Sequence, residues 1–363
     1  MPINILKLTL SILIGLILTT IGFAQQNGII SGRIIDKDTK EGVPGASVYL
    51  SQTTHGAQSN ADGTYSFNFK TAGDYTLVVS VVGYKTIQQK ISLESGSTYS
   101  FNISITALVV QLETIVVKSS NKEWIKNFES FEKFFIGEDN FASDVVIENP
   151  EVLTFKQDPR LKRINVTAVA PLIVRNNALG YMIRIDFVSV YFNPYDKTGL
   201  YTMYTNFQDL SSPNSPKQSK AWQKTRKTAY FGSSMHFFRS LLNNTLRKDG
   251  FTYLPEGGVI EPFDDMETIV QFYPNNWAAM LSAKYSAFSL SRSPAYVGYQ
   301  LRINRGKKVE NPSAVTSITL QGKTPFVFIN ASGQVRNPAD FLFNGKWSTE
   351  RVSRLLPSDY DVE

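Results

Sequence analysis

The feature that most constrains the fold is a series of short segments in which apolar and polar residues alternate, from Gly28 to Ile105. Residues that favour turns separate these segments at intervals of roughly 8–12 residues. In an extended strand, successive side chains point to opposite faces, so each segment offers one apolar face to a core. In the segment 46–50, one face holds Ala46, Val48 and Leu50, and the other holds Ser47 and Tyr49. This pattern predicts an antiparallel β-sandwich.

Three motifs within this region occur in a fixed order along the chain. They are GRIID at 32–36, GVPGASV at 42–48 and NADGTYSF at 60–67, and Tyr75 and Gly83-Tyr84 follow. This succession resembles the carboxypeptidase-regulatory-like domain. The resemblance implies a seven-stranded, transthyretin-like β-sandwich over residues 27–120 with a folding, spacing or interaction role. It implies no peptidase activity, because in that family the unit performs no chemistry itself.

The N-terminal segment has the pattern of a secretory signal peptide. Residues 8–24 are almost wholly apolar or small and follow a lysine, and Gly22 and Ala24 stand where a signal peptidase reads the chain. We therefore predict a signal peptide over residues 1–24, cleaved near Ala24, and an exported protein of the periplasm or outer membrane of a Gram-negative envelope. The alternative is an uncleaved anchor, because 17 residues are close to the lower limit for a membrane span.

The segment 110–120, VQLETIVVKSS, is open to two interpretations. It resembles the short motif that follows such a sandwich in TonB-dependent outer-membrane transporters, where an extended peptide is offered to a partner strand. The favoured interpretation is a last sandwich strand and linker, because its apolar residues suit burial. A transporter is excluded, since the 243 residues from 121 to 363 are too few for a plug and a barrel of about 22 strands.

Composition excludes several kinds of chemistry. The absence of cysteine excludes disulfides, thiolate metal sites and cysteine nucleophiles. The two histidines, His55 and His236, fall in different predicted domains, which argues against a zinc hydrolase. The net charge of +6 favours anionic surfaces but is too small and dispersed to predict a nucleic-acid partner. We predict no cofactor and no metal, and we expect turn chemistry from Asp36, Asp38, Glu41 and Asp62.

Residues 121–363 are predicted to form a β-rich α+β domain with a helical insertion, so the whole chain is mainly β. Aromatic residues at spacings of three and four predict an amphipathic helix over Trp124–Ile136. The insertion begins at Ser215-Pro216, is interrupted at Gly232 and is expected to end near Gly250. Strands are predicted at 152–155, 164–169, 181–192, 201–207, 268–272, 297–303, 317–320 and 327–329.

Strand 181–192 alternates at its start, and this alternation separates charged from apolar residues. Arg184 and Asp186 are predicted to lie on the face opposite Ile183 and Ile185. The first helix of the insertion is basic through Lys217, Lys220, Lys224, Arg226 and Lys227. These residues form either a solvated helix face or a contact with phosphate groups of the outer membrane or with an acidic partner.

No catalytic constellation is found. Ser233 and His236 share a helix face, but the second glycine of a nucleophile elbow is missing, so we predict a packing or capping role for His236. His55 is predicted to be a solvated loop residue. The group Glu261, Asp264, Asp265 and Glu267 suits a polar loop, although paired carboxylates also serve glycoside hydrolysis. The candidate platforms for sugar stacking are Trp124, Trp222, Trp277 and Trp347, of which most are expected in the core.

The segments 131–137, 147–153, 177–181 and 229–239 resemble a family of exported bacterial proteins named only for a regulatory-like first domain. This resemblance implies an architecture and a compartment, and no chemistry. The sequence therefore predicts a non-enzymatic envelope protein that acts as a binding or scaffold module, with an envelope protein or a glycan as partner. The alternatives are a carbohydrate-binding accessory protein and, as a third reading, a hydrolase that uses carboxylates of the second domain.

Overall fold

The structure is a computed structural model, and it describes residues 27–108, 122–243, 245–254 and 341–362 together with five short segments. Those segments are 286–289, 295–299, 315–320, 326–329 and 332–333. Several predicted features lie outside the described residues, and the structure does not test them. They are the signal peptide, the segment 110–120, the acidic group 261–267, the strand 268–272 and Trp277.

The N-terminal sandwich consists of two four-stranded sheets. In the first sheet β1 lies beside β4 and also pairs with β7 and β8, with bounds β1 (Gly28–Asp36), β4 (Thr64–Phe69), β7 (Thr98–Ser100) and β8 (Ile103–Ile105). The second sheet has the order β3-β2-β5-β6, with bounds β2 (Ser47–Leu50), β3 (Gly56–Gln58), β5 (Gly73–Ser80) and β6 (Ile87–Leu93). The inner faces meet in one apolar core that includes Ile30, Ile34, Val48, Leu50, Phe69 and Leu77.

The sandwich has eight strands where seven were expected, because β7 and β8 together occupy the predicted last strand, 99–105. Both pair in parallel with β1. At the interruption, the N–H of Arg33 donates to Oδ1 of Asn102 at 2.9 Å in place of a backbone partner. A Cβ on Gly32 would lie 2.0 Å from the carbonyl oxygen of Phe101. Glycine therefore permits the close approach of the two chains at this point.

The sequence predicts a hairpin at 60–63, and the structure corrects this. The turn itself is present: the N–H of Gly63 donates to the carbonyl of Asn60 at 2.9 Å, and Gly63 has a φ of 84°. The strands on either side, however, belong to different sheets, since β3 pairs with β2 and β4 pairs with β1. The chain therefore crosses from one sheet to the other at this turn.

A six-stranded antiparallel sheet forms the centre of the second part of the chain, and the mainly β class is confirmed. Its order is β10-β11-β13-β12-β9, and β14 pairs along the other edge of β13. The first part of β13 pairs with β12 and its last residues pair with β11. The bounds are β9 (Val145–Ile147), β10 (Leu153–Asp158), β11 (Arg163–Ala168), β12 (Leu172–Asn176), β13 (Tyr181–Phe192) and β14 (Gly199–Asp209).

Helix α1 (Lys122–Ile136) packs on one face of this sheet, called here the inner face. Phe131, Phe134 and Phe135 are buried, and the ring of Phe134 stacks on that of Phe192 with 5.3 Å between centroids. Ile125, which the sequence pattern places in the same apolar stripe, is 39% exposed. The helix is therefore confirmed, with a narrower buried face than its spacing suggests.

The helical insertion contains α2 (Pro216–Tyr230) and α3 (Ser234–Leu242), separated at Gly232 as predicted. Helix α3 ends at Leu242, well before Gly250. The N–H of Thr245 donates to the carbonyl of Ser240, and Oγ of Ser240 donates to Asp249 at 2.7 Å. These side-chain and backbone bonds offer the chain an alternative to further helix, and so they end it early.

The remaining described strands form a four-stranded sheet of order β15-β17-β18-β20 and a two-stranded sheet of β16 and β19. Their bounds are β15 (Phe251–Leu254), β16 (Ser286–Ser289), β17 (Ala295–Tyr299), β18 (Val315–Leu320), β19 (Phe326–Ile329) and β20 (Phe341–Gly345). After β20 the chain returns to the core of the six-stranded sheet, where Val352 and Leu356 are buried. Among the helices that the structure describes, none has the length and apolar character needed to cross a bilayer.

Candidate functional site

The sandwich is joined to the second sheet by a cluster of polar side chains, which we call the junction network: the buried Tyr49, Ser80 and Asp186 and the half-buried Arg184. Oη of Tyr49 donates to Oδ2 of Asp186 at 2.6 Å, and Oγ of Ser80 donates to Oδ1 of the same carboxylate. Nη2 of Arg184 donates to the carbonyl of Ser80 at 3.3 Å. The network connects the outward face of β2 and β5 with the outer face of β13. Arg184 and Asp186 thus lie opposite Ile183 and Ile185, as the alternation predicts.

Burial fixes the protonation state of the phenol in this network. Tyr49 is 1% exposed and Asp186 is 7% exposed. Burial raises the pKa of Tyr49 well above its usual range, and the Asp186 carboxylate raises it further. Tyr49 is therefore neutral and donates to Asp186. A buried carboxylate is tolerated only where polar partners satisfy it, and Asp186 finds them in Tyr49 and Ser80 of the sandwich and in Nε of Arg184 on its own strand, 3.4 Å from Oδ2.

Main-chain bonds extend the junction along the free edge of β14. The N–H of Gln52 donates to the carbonyl of Thr205 at 2.6 Å, and the N–H of Phe207 donates to the carbonyl of Thr53 at 3.0 Å. Nδ2 of Asn206 also donates to the carbonyl of Thr53, at 3.1 Å. The loop after β2 thereby pairs with the sheet as a short extra strand. Pairing of this kind covers edge groups that would otherwise invite association with another chain.

The C-terminal segment 355–362 covers the same loop from the other side. The N–H of Ser358 donates to the carbonyl of Gln52 at 2.6 Å, and the N–H of Thr54 donates to Oδ1 of Asp359 at 3.0 Å. Nη2 of Arg239, from α3, donates to the carbonyl of Ser358 at 2.9 Å. The loop is therefore held between β14 and the end of the chain.

His55 lies in this layer, and its predicted solvated position is wrong. Its side chain is 12% exposed, and Nε2 lies 3.3 Å from Oδ2 of Asp359. Burial lowers the pKa of His55, and the charge of Asp359 opposes that effect. The sequence around His55 is polar and looks like an exposed loop. The C-terminal segment covers the ring, and no local sequence pattern predicts that this distant segment packs there.

The basic residues of α2 do not all share one environment. Lys217, Lys220 and Lys224 are exposed, and Lys227 is half-buried. Arg226 is 5% exposed and must be removed from the predicted anionic-surface contact. Residue 226 is two positions from Lys224, and two positions in a helix turn a side chain to the opposite face. Arg226 is close to the lysines in sequence, but the helical period places its side chain on a different face of the helix.

Arg226 fastens α2 to the sheet. Both terminal nitrogens donate to the carboxylate of Asp209 at 2.8 Å, and Nε donates to the carbonyl of Leu179 at 2.7 Å. Nη2 also donates to the carbonyl of Gly180, and the guanidinium lies 3.9 Å from the ring centre of Tyr181. A planar fork that makes bidentate and stacking contacts at once is a role that lysine could not fill.

Ser233 and His236 form the beginning of α3. Oγ of Ser233 accepts the N–H of His236 at 3.1 Å, so Ser233 is the N-cap. Nδ1 of His236 accepts the N–H of Gly232 at 3.1 Å. Burial lowers the pKa of His236 to about 4, so the ring is neutral near pH 7. These bonds account for both residues as helix-capping groups, in agreement with the prediction for His236.

The described tryptophans connect elements of the fold. Nε1 of Trp124 donates to the carbonyl of Leu153 at 3.1 Å, that of Trp222 to Asn177 at 2.7 Å and that of Trp347 to Gly232 at 2.8 Å. Trp347 is buried and the other two are half-buried. The indole N–H of each of these three is thus engaged within the fold.

One titratable group with a shifted pKa, Glu350, was not predicted from the sequence. Burial raises the pKa of Glu350 to about 7, and the nearby Lys346 and Arg354 act against that shift. Its carboxylate also accepts a backbone hydrogen bond from Ser234 in the first turn of α3. Glu350 follows the short turn Lys346–Thr349, whose sequence has no periodicity that would indicate burial. Within the described residues, no group of His, Asp and Glu is arranged to hold a metal ion.

Comparison with known families identifies the first unit. Residues 30–117 match the model of the CarboxypepD_reg-like domain. With its two four-stranded sheets in place, the N-terminal unit is a β-sandwich of this class, and the resemblance carried by the three sequence motifs is confirmed. The match ends before α1 and includes no strand of the six-stranded sheet.

No curated protein matches the sequence. Among solved structures, a chain of a type II cohesin–X–dockerin complex from Acetivibrio cellulolyticus is 22% identical over 22% of this chain and 58% of that chain, with a TM-score of 0.19. The present chain thus spans less than two thirds of that relative. A candidate carbohydrate-binding protein from Bacteroides uniformis is 11% identical, over 51% of this chain and 80% of that chain, with a TM-score of 0.20.

A candidate membrane-associated protein of unknown function from Bacteroides fragilis aligns over more of the chain. It is 11% identical over 89% of this chain and 94% of that chain, with a TM-score of 0.19. TM-scores this low carry no argument about function, so the assignments below rest on the junction and on the surface of the protein itself.

Proposed function

We propose that this protein is a non-enzymatic binding or scaffold protein of the bacterial envelope, in which the sandwich is a fixed base for the second sheet. The observation that carries the proposal is the junction network, in which the carboxylate of Asp186 is shared between Tyr49 and Ser80 of the sandwich. Domains that only swing on a linker meet through small, open interfaces. A buried charge shared between two domains suits a spacer that must hold a constant geometry.

The engagement of reactive side chains in structural bonds supports the non-enzymatic part of the proposal. Ser233 and His236, the one pair that resembled a hydrolase site, cap a helix. Asp186 is held by two hydroxyl groups, and Asp139 accepts from Ser353 and pairs with Arg354. A general acid or base must instead reach a substrate proton. The acidic group 261–267 lies outside the described residues, and a hydrolase that uses these carboxylates stays the least favoured alternative.

The signal-peptide pattern of residues 1–24 supports the envelope location. The test is to express the full chain with a C-terminal tag, fractionate the cells, and determine the N-terminus of the tagged protein by mass spectrometry. We expect envelope fractions and a chain that begins at Gln25. A tagged protein that stays in the cytoplasm with residues 1–24 attached would contradict the location.

The scaffold role is tested by cross-linking and capture from envelope fractions, with a glycan array run in parallel. We expect one reproducible protein partner for the wild type. Asp186→Asn should reduce its recovery, because a loosened junction no longer holds both domains in one geometry. Gln208→Ala is the matched control, since Gln208 is exposed on the same outer face of the sheet and makes no junction contact. An array signal without any protein partner would overturn the ranking.

A carbohydrate-binding role is the second candidate, and the outer face of β13 and β14 favours it. Tyr191 lies there opposite Leu200, with the guanidinium of Arg163 4.4 Å from its ring centre. Tyr195, in the turn that follows, is 88% exposed. Exposed tyrosine rings offer the apolar face and polar tip that sugars require. Tyr195→Ala should abolish any array signal, whereas loss of signal only in a Trp124→Phe variant would contradict this location.

A further inference from the structure

We infer that helix α2 docks the protein on the phosphate headgroups of an anionic membrane surface, through a lysine stripe formed by Lys217, Lys220 and Lys224. The inference goes beyond the proposed scaffold role, which needs no membrane contact. The three lysines are exposed, and spacings of three and four place them on one face of the helix.

The opposite side of α2 fixes the direction of the stripe. Arg226 is bonded to Asp209 and to the turn before β13. Oγ1 of Thr225 donates to the carbonyl of Ala178 at 2.5 Å, and the indole N–H of Trp222 donates to Asn177. Three contacts along the helix therefore anchor it to the sheet. The stripe is presented outward by a rigid element, without the need for a ligand to order it.

The lysine stripe does not stabilise helix α2 itself. Helix α2 contains no acidic residue, so no lysine gains an ion pair within it. Lys217 lies in the first turn, where a cation opposes the helix dipole. Lys220 and Lys224 are four positions apart and repel each other. Among the described acidic residues, none is ion-paired with a lysine of the stripe. Charges that destabilise their own helix point to a counter-charge outside the chain.

The chemistry of the stripe favours a membrane over a protein or a nucleic acid. Protein interfaces are depleted of lysine and rely on aromatic and arginine side chains at their centre. The aromatic residues and the arginine of α2 do not face the solvent side: Trp222 and Arg226 are turned to the sheet, and Tyr230 is buried. Binding of single-stranded nucleic acid would add exposed stacking rings. Lysines alone, spaced along one line, match a diffuse layer of negative headgroups.

The test is flotation of the mature full-length protein with vesicles of phosphatidylcholine, with or without phosphatidylglycerol. We expect binding only to the anionic vesicles, with about fivefold in the partition constant for each lysine. The triple variant Lys217→Gln, Lys220→Gln and Lys224→Gln should therefore lose about 100-fold. Binding should also vanish near 1 M salt, where the Debye length falls to about 3 Å.

The matched control removes the same charge from other exposed positions, through Lys85→Gln, Lys90→Gln and Lys156→Gln. It should retain most of the binding, and replacement of the stripe by three arginines should restore it. Equal loss in the control would overturn the inference, because net charge would then suffice. Binding to neutral vesicles, or competition by free inorganic phosphate, would overturn it as well. Partner capture by the triple variant tests the scaffold role separately.

Discussion

The sandwich and the second sheet bury polar groups in different ways. In the sandwich, Asp62 lies in a turn and bonds to a backbone group two residues away, and the buried Oγ of Ser59 bonds to Ala46 and Val43, 13 and 16 residues away. In the second part of the chain, polar side chains are buried and join segments far apart in sequence, as when Nδ2 of Asn176 donates to the carbonyl of Ser353 at 2.8 Å. The first unit is held by its apolar core and by polar contacts of short or moderate sequence separation, whereas the second also depends on polar contacts between segments as far as 177 residues apart.

This difference has an energetic consequence. An exposed turn residue keeps access to water when its partner is lost, so the loss is small. A buried charge or amide that loses its partner cannot find water, so the loss is several times larger. Substitutions of buried polar groups in the second part of the chain and at the junction should therefore cost far more than substitutions of exposed turn residues in the sandwich.

The largest effect is expected for Arg226→Met. The change leaves the carbonyls of Leu179 and Gly180 without their donor and Asp209 without its ion pair. Each of the two buried carbonyls that lose their donor costs about 1–3 kcal/mol, whereas the exposed Asp209 can turn to water, and the urea midpoint should fall accordingly. The matched control is Lys224→Met on the exposed face of the same helix, which should stay within about 0.5 kcal/mol. Equal losses of stability from the two changes would contradict the expected difference between buried and exposed polar groups.

The second effect concerns pH and also belongs to the second domain. His236 has a pKa of about 4 in the fold against 6.5 when unfolded, so the unfolded chain binds more protons in that window and stability rises with pH. Glu350 has a pKa of about 7 in the fold against 4.5 when unfolded, so its contribution falls as pH rises through that window. Each shift corresponds to about 3 kcal/mol at most.

Two variants separate these opposing contributions. Relative to wild type, His236→Asn should make the free energy of unfolding depend less positively on pH between about 4 and 6.5. Glu350→Gln should make it depend more positively between about 4.5 and 7. Urea unfolding at a series of pH values measures both slopes. Parallel curves for wild type and both variants would show that neither group changes protonation on unfolding in this window.

The third effect is a test of the junction. Tyr49→Phe removes one of the two hydroxyl donors to Asp186 and should cost about 2 kcal/mol, since hydrogen bonds to charged groups are worth about 1.5–3 kcal/mol. The double variant with Asp186→Asn should lose less than the sum of the single losses, because the two groups act on one bond. Strict additivity would mean that the bond does not join the two domains.

Much of the sandwich could be predicted from sequence, because its signals are local. Alternation in 46–50 placed Ser47 and Tyr49 on one face, and that face carries the junction. What covers the face could not be predicted. Val48 and Leu50 are buried in the sandwich core, whereas Tyr49 on the other face of β2 is covered by Asp186, which is far away in sequence. The same limit explains His55, whose polar neighbours suggest exposure and whose cover is the C-terminal segment.

The second part of the chain shows the same limit more strongly. Its helices and several of its strands follow from periodicity, and the helical period separates Arg226 from the lysine stripe. The sequence did not predict the short strands β9, β12, β15, β16 and β20. The burial of Glu350 depends on contacts that form only when distant segments meet, whereas Ser233 caps α3 through a local bond from His236. Sequence patterns therefore identify elements and faces well, and they identify the polar partners of buried groups poorly.

The smallest effect is expected in the sandwich, at the interruption between β7 and β8. Asn102→Ala removes the acceptor of the Arg33 N–H, but Asn102 is exposed and water can replace it. The free energy of unfolding should fall by only about 0.5 kcal/mol. Ser104→Ala, at an exposed position of β8, is the control for a change of surface polarity alone. A loss as large as that of Tyr49→Phe would show that the stability of the sandwich also depends on single polar contacts. The expected difference between the two regions would then be contradicted at an exposed site, where it should be largest.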